Sequence, residues 1–330
     1  MKAFVTGGTG FIGSPVVDLL LAEGHAVRLF SRSPRLPERL LNQQNIELAM
    51  GDLIDFDAVT GAMKGSDVFI HIGEIKNRTD VDARNNTTLI ERITADLAMK
   101  GVQRIVFISA ISVAGVPSKV PASEETPPES VPNDHYTAYK HEAERIISRT
   151  HDTEYVILRP APVYGPGSRH LGRLVSLIGL IGPIGIPFPG SGKNIVPLVH
   201  VRDLAQAVVL AATRREATGQ VFTIADGLRH TWHDFLSAVA AAQGKSLNLF
   251  PLPPQIAFLA APFMDIAASM LGVAPDHASY ARFFSSDLLF DIGKSRRLLG
   301  WAPIRTDLDA AVQEMVAAYQ GAGHSRSGES

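Results

Sequence analysis

Eight residues near the amino terminus, Thr6-Gly7-Gly8-Thr9-Gly10-Phe11-Ile12-Gly13, constrain this chain more than any other stretch. They stand between a short apolar run, Lys2–Thr6, and a segment with helical spacing, Ile12–Ala22. Gly7, Gly10 and Gly13 give a G-x-x-G-x-x-G spacing, and Gly8, Gly10 and Gly13 also satisfy G-x-G-x-x-G. In a strand–turn–helix each glycine has a task. One permits the tight turn, one lets the backbone touch a diphosphate, and Gly13 lets the helix pack close to the strand. Phe11, Ile12 and Gly13 open the helix, whose free N–H groups and dipole favour anionic phosphates. The turn predicts a dinucleotide site.

The rest of the first half repeats the same alternation. Lys2–Thr6, Ala26–Phe30, Ile46–Met50, Val68–Ile72 and Arg104–Ser109 read as buried strands. Ile12–Ala22, Asp55–Met63 and Asp82–Lys100 read as helices between them. A helix over His135–Thr150 and a strand over Tyr155–Arg159 follow. This pattern predicts an α/β protein, a Rossmann doubly wound parallel sheet with helices on both faces. Beyond Arg159 glycine and proline become dense up to Gly192. Later segments read as helix (Val201–Ala212), strand (Val221–Ile224), helix (Trp232–Gln243) and helix (Leu308–Tyr319). We expect a dinucleotide-binding domain over 1–160 with later returns near 195–225. A smaller, mostly C-terminal substrate-binding lobe is expected over 161–320, and a disordered tail over 321–330.

Composition narrows the function classes. Apolar residues make up 45% of the 330 and charged residues 19%, enough for a large core and too apolar for wholesale disorder. A net charge of −2 gives no basic footprint for nucleic acid or an anionic membrane surface. The absence of cysteine excludes disulfide scaffolds, thiolate metal sites and cysteine nucleophiles, and fits a cytoplasmic protein. The uncharged stretch between Arg173 and Lys193 is broken by Pro183, Pro187 and Pro189, so no stable membrane insertion is expected. His230 and His233 lack the partners of a metal motif, and no metal is expected. No G-x-S-x-G elbow supports a hydrolase.

Other positions point to the cofactor. NAD sites usually carry an acid about 20 residues beyond the glycine turn, at the end of strand two. Here that strand ends Leu29-Phe30-Ser31-Arg32 without one, and Arg32 stands where a cation would pair with a 2′-phosphate. NADP(H) is therefore expected over NAD(H). Asp52 and Leu53, after strand three, fit an adenine contact, and Gly73 leaves room for the cofactor after strand four.

The helix His135–Thr150 supplies the chemistry. Tyr136 and Lys140 are four apart, which puts both on one helix face. An ammonium beside a phenol favours the phenolate, and such a tyrosine exchanges a proton with a substrate oxygen near neutral pH. Lys140 also suits the nicotinamide ribose.

These motifs together resemble an extended short-chain dehydrogenase/reductase of the NAD-dependent epimerase/dehydratase superfamily. The likeness runs through Gly51-Asp52-Leu53, Tyr136 and Lys140 with Glu144, and Arg159-Pro160 with Val163-Tyr164-Gly165-Pro166-Gly167. It continues in His200-Val201-Arg202-Asp203-Leu204-Ala205 and Leu299-Gly300-Trp301-Ala302-Pro303. The resemblance implies cofactor contacts at Pro160 and Val163. It also implies a homodimer through the helices Asp82–Lys100 and His135–Thr150, and a small-molecule substrate. It departs at three places. The usual strand-five hydroxyl position falls on Ala110, so Ser109 or Ser112 must supply the hydroxyl. Pro162 stands where nucleotide-sugar members carry asparagine. The asparagine usual at the start of helix four falls on Asp82, with Asn85 and Asn86 nearby.

Ser109–Gly115 and Arg159–Gly167 look more like the 3β-hydroxysteroid dehydrogenase-like branch. Apolar stretches at Ile256–Leu271 and Leu174–Phe188 suit cover over an apolar substrate. The expected function is an NAD(P)-dependent oxidoreductase for a bulky, fairly apolar hydroxyl or keto compound of sterol, terpenoid or flavonoid type. The alternatives are a nucleotide-sugar epimerase or dehydratase, and a catalytically inactive dinucleotide-binding regulator.

Overall fold

The computed structural model describes residues 1–75, 79–131, 134–253, 256 and 283–326. The first half follows the expected alternation: β1 (Lys2–Thr6), α1 (Gly13–Ala22), β2 (Ala26–Ser31), β3 (Ile46–Met50), α2 (Phe56–Ala62), β4 (Val68–His71), α3 (Asp80–Asp96) and β5 (Arg104–Ile108). A short antiparallel pair, β6 (Val116–Pro117) and β7 (Pro128–Ser130), precedes α4 (His135–Ile147) and β8 (Glu154–Pro160). Then come β9 (Val163–Tyr164), α5 (Arg169–Ile181), β10 (Ile186–Pro189), β11 (Val199–His200), α6 (Val201–Thr213) and β12 (Gln220–Ile224). The chain continues through α7 (Trp232–Ala241) and β13 (Leu249–Leu252) and ends in α8 (Leu308–Arg326).

Seven strands form one parallel sheet in the order β12-β8-β5-β4-β1-β2-β3. Alternation along each strand sends different side chains to the two faces. Phe4, Phe30, Phe69 and Phe107, from four neighbouring strands, share one face with α2, α3 and α4. Phe4 meets Phe30 edge-on at 5.8 Å between centroids and lies tilted against Phe69 at 5.0 Å. The other face is aliphatic: Val5, Leu29, Ile70, Val106 and Leu158 pack under α1 and α6. This is the doubly wound arrangement, and it aligns the carboxyl ends of β1, β4, β5 and β8, the standard ligand edge of such sheets.

Residues 199–225 return to the sheet through α6 and β12. A second apolar cluster joins α5, α7 and α8 around Ile178, Phe235, Val239 and Val312. The two halves are tied together by Asp203 of α6. Its carbonyl accepts from the Trp301 indole at 2.9 Å and its carboxylate from Arg305 N at 2.9 Å. The His200–Ala205 and Leu299–Pro303 motifs thus meet as one latch.

Three expectations need correction. The glycine- and proline-dense stretch holds a full helix, α5, whose glycines hid its periodicity. Gly172 and Gly179 lie where a Cβ would come within 2.5 Å of Tyr319 and Gln243, so they serve close helix packing. Its Val175 and Ile178 are buried in the second cluster, so Leu174–Phe188 packs on α7 and α8 and does not line the cavity described below. The final helix runs to Arg326, well into the expected disordered tail. Residues 257–282, which include most of the apolar Ile256–Leu271 stretch, lie outside the described residues, as do 327–330. Among the described residues no helix is long and apolar enough to cross a membrane.

Candidate active site

The glycine turn is built by backbone contact. Gly10 N donates to Gly7 O at 2.9 Å, and Gly7 has a φ of 71°. A Cβ on Gly13 would lie 2.1 Å from Gly7 O, and one on Gly7 would lie 2.5 Å from Gly73 N. No side chain other than glycine fits at these points, and Gly7, Gly13 and Gly73 form one backbone surface. Asp55, Thr79, Asp134, Ser168 and Thr231 cap later helices with their side chains. By contrast α1 opens at Ile12 with no capping side chain and no acid in its first turn. Uncapped N–H groups over a cradle without side chains fit a diphosphate.

At the ends of β2 and β3, Arg32 and Asp52 face each other, with Arg32 Nη1 3.9 Å from Asp52 Oδ2. Leu53 reaches to Gly73, where a Cβ would come within 3.1 Å of Leu53 Cδ1. A second arginine, Arg39, bonds Ser14 at the start of α1 and lies 3.5 Å from Asp18. Nothing around Arg39 in the chain marks it out, because its partners sit on another element.

A cavity of about 580 Å³ opens at the carboxyl ends of β4, β5 and β8. Its walls are mostly apolar, with Ile12 and Ile72 on one side, Ala110 and Ile111 on another, and Phe283 from the C-terminal half. Pro160, Pro162 and Val163 complete it. Tyr136, Lys140, Ser109, Ser112 and Glu74 supply its polar lining.

Asp134 caps α4 by accepting from Thr137 N at 2.8 Å, and this sets the first turn so that Tyr136 and Lys140 both face the cavity. Lys140 is almost fully buried. Its ammonium donates to Ile108 O at 2.6 Å, lies 5.6 Å from the Tyr136 ring centre, and forms an ion pair with Glu74. Tyr139 points into the core with no hydrogen-bond partner for its hydroxyl among the described residues. Burial, with the nearby Glu74 charge, pushes Tyr139 well above the ordinary tyrosine range. Tyr136 is thus the phenol at the cavity.

The two serines differ. Ser109 Oγ donates to Glu144 at 2.5 Å, and Glu144 is held in turn by Arg159 Nη2 at 2.6 Å. Its proton is committed to a buried network joining β5, α4 and β8. Ser112 sits in a single 3₁₀ turn, Ile111–Ala114, with Oγ 3.0 Å from Thr137 Oγ1 and on the cavity wall.

Two groups escaped the sequence. Glu74 carries no spacing signal. Asn86 was noted only as a neighbour of the expected position. It is buried and grips the connection after β4, accepting from Ile75 N at 3.0 Å and donating to Ile75 O at 3.1 Å. Among the described residues no group of three or more His, Asp or Glu is placed to hold a metal ion. His230 instead lies 3.7 Å from Asp226.

Known proteins share the sequence family and the fold. Residues 3–225 match the family model described as the NAD dependent epimerase/dehydratase family. The chain belongs to that family. Members of the family are enzymes of the short-chain dehydrogenase/reductase superfamily, oxidoreductases and epimerases that depend on NAD. The chain is 27% identical over 318 residues to a UDP-glucose 4-epimerase of Vibrio cholerae, covering 92% of this chain and 90% of the relative. It is also 27% identical over 333 residues to a 3 beta-hydroxysteroid dehydrogenase/Delta 5-->4-isomerase of Mycobacterium tuberculosis, covering 94% and 89%. The solved structure of gox2253 superposes with a TM-score of 0.79 at 24% identity over 98% of each chain, a likeness of fold. Ala110 and Pro162 both line the cavity.

Proposed function

We propose that this protein is an NADP(H)-preferring oxidoreductase that interconverts a carbonyl and a hydroxyl on a bulky, fairly apolar small molecule. The observation that carries the proposal is the cavity at the strand ends, apolar except for Tyr136, Lys140, Ser112 and two carboxylate- or serine-bearing neighbours. Such a lining favours an apolar substrate presented by one oxygen. Pro162 offers a sugar nucleotide neither a side-chain donor nor an N–H.

The diphosphate would rest on Gly7, Gly10 and the opening of α1 at Phe11, Ile12 and Gly13. Asp52 and Leu53 would meet the adenine, Arg32 a 2′-phosphate, and Gly73, Pro160 and Val163 the nicotinamide end. When bound, the reduced dinucleotide supplies a hydride to the carbonyl carbon. Tyr136 gives its proton to the carbonyl oxygen, and in the reverse direction takes it back. Ser112 donates a hydrogen bond to the same oxygen, in place of the hydroxyl missing at Ala110. Lys140 holds Tyr136 and the ribose in register, and Ser109 fixes α4 against β5 and β8 through Glu144. We further place the protein in the cytoplasm as a homodimer through α3 and α4.

The deciding experiment is dinucleotide turnover with two substrate panels. Purified protein is expected to oxidise NADPH with sterol-, terpenoid- or flavonoid-like ketones and to leave UDP-sugars unchanged. Tyr136→Phe is expected to cut kcat by about 10²–10⁴-fold, and Ser112→Ala to lower kcat more than Ser109→Ala does. UDP-sugar interconversion without net change in dinucleotide would support the epimerase reading, which the Vibrio cholerae relative favours. Tight dinucleotide binding without any turnover would support a regulator.

A further inference from the structure

Thr137, one residue beyond Tyr136 on α4, is buried. Its hydroxyl is placed to donate to two acceptors from different parts of the site. One is Ser112 Oγ at 3.0 Å, on the 3₁₀ turn after β5, and the other is Asp134 Oδ2 at 2.8 Å, at the cap of α4. A threonine hydroxyl carries one hydrogen, so a single proton lies between two claimants. Asp134 does not need it for capping, because Oδ1 already accepts from Thr137 N at 2.8 Å. The cap and the side-chain bond are separate interactions of one carboxylate.

The destination of that proton decides what Ser112 shows the cavity. With Thr137 donating to Ser112, the serine oxygen is an acceptor on its buried side, and its own hydrogen is left for the cavity it lines. With Thr137 donating to Asp134, the serine loses that donor. Its hydrogen is then free to turn back onto Thr137 Oγ1, leaving only lone pairs towards a ligand. A carbonyl oxygen only accepts, so the first arrangement receives it and the second repels it. Hydrogen bonds to a charged acceptor are the stronger kind, which makes Asp134 a strong competitor. Ser109 offers no replacement, because its hydrogen is given to Glu144.

We propose that Thr137 is a positioning residue that aims the hydroxyl hydrogen of Ser112 at the substrate's carbonyl oxygen, and that Asp134 opposes it by competing for the same proton. The inference rests on the oxidoreductase reading above and deepens it. The oxygen-binding end of the site becomes a chain of three side chains, with Asp134 as its brake.

NADPH oxidation with flavanone, progesterone and camphor, ketones of the three expected types, reads this chain. Thr137→Val keeps the shape and removes the hydroxyl. It is expected to lower kcat/KM by about 3–10-fold, the scale of one hydrogen bond. Thr137→Ser is expected to restore kcat/KM to within about twofold. Asp134→Asn keeps the cap, since asparagine is among the best N-cap residues, and replaces the competing acceptor by an N–H donor. It is expected to raise kcat/KM by about 3–10-fold. In a Ser112→Ala background both substitutions are expected to change kcat/KM by less than about twofold, which a merely structural role would not produce. Urea unfolding of the ligand-free protein gives a second reading. There Ser112→Ala and Thr137→Val are expected to be non-additive by about 3–10-fold in the unfolding constant, and Asp134→Asn to enlarge that coupling. Additivity in either cycle, or a fall in kcat/KM in Asp134→Asn like that in Thr137→Val, would overturn the proposal. If Thr137→Val does not fold, the gain in Asp134→Asn and its dependence on Ser112 decide alone. Failure of the oxidoreductase reading shows separately, as no NADPH oxidation by wild type with any of the ketones, and the unfolding cycle then decides whether Thr137 serves Ser112 against Asp134.

Discussion

Arg32 projects from the end of β2 with its side chain 78% exposed, and its 3.9 Å approach to Asp52 is too long and too wet to contribute much to stability. A doubly charged phosphate placed beside it has no competing anion on β2 itself. Arg32→Ala is expected to weaken NADPH binding by about 10–100-fold, the scale of one lost hydrogen bond to a charged group. NADH binding is expected to change by less than about twofold. Parallel fluorescence titrations check this, and equal losses would reject the phosphate role. Arg32 was legible because it fills a position where the usual acid is missing. Glu74 was not, because nothing in His71-Ile72-Gly73-Glu74 distinguishes it from a surface acid. Its meaning depends on Lys140 arriving from a helix far along the chain. The choice between Ser109 and Ser112 was equally out of reach, since it is decided by Glu144 reaching back to β5.

Between strands, short connections set the site. The segment from Gly73 to Ile75 leaves β4 beneath the glycine turn, and Asn86 of α3 is its anchor. Asn86→Leu removes bonds to both backbone groups of Ile75 and leaves them part-buried without that partner. The expected cost is about 2–3 kcal/mol in denaturant unfolding, together with weaker NADPH binding as Gly73 loosens from Gly7. Unchanged stability would mean that the connection is held by its ends alone. Most elements of the parallel sheet were readable to within two residues, because buried parallel strands are continuous apolar runs bounded by turn residues. Helix α5 was missed because its glycines make room for Tyr319 and Gln243, a packing need invisible to local periodicity.

Across the molecule, two buried histidines govern acid tolerance. Burial and nearby cations push His71 down to about 3 and His200 to about 4. The unfolded chain protonates both near pH 6.5 while the folded chain does not, so the unfolded state binds more protons below that pH. Stability is therefore expected to fall as pH drops from 6.5 towards 4, by up to about 1.4 kcal/mol per pH unit for each histidine. Urea unfolding across this window tests it, and His71→Gln is expected to reduce the slope by about half. An identical slope in the variant would show that carboxylates alone set the acid limit.

The strand order has a consequence for biosynthesis. The outer edge of β8 is covered by β12, which leaves the ribosome some sixty residues later, about 3–12 s at ordinary translation speed. Through that interval a nascent chain displays an unpaired ribbon of Val156, Ile157 and Leu158, the kind of bare hydrogen-bonding rim that recruits other strands. Chaperone capture during synthesis should therefore peak after β8 emerges and subside once Gln220–Ile224 has docked.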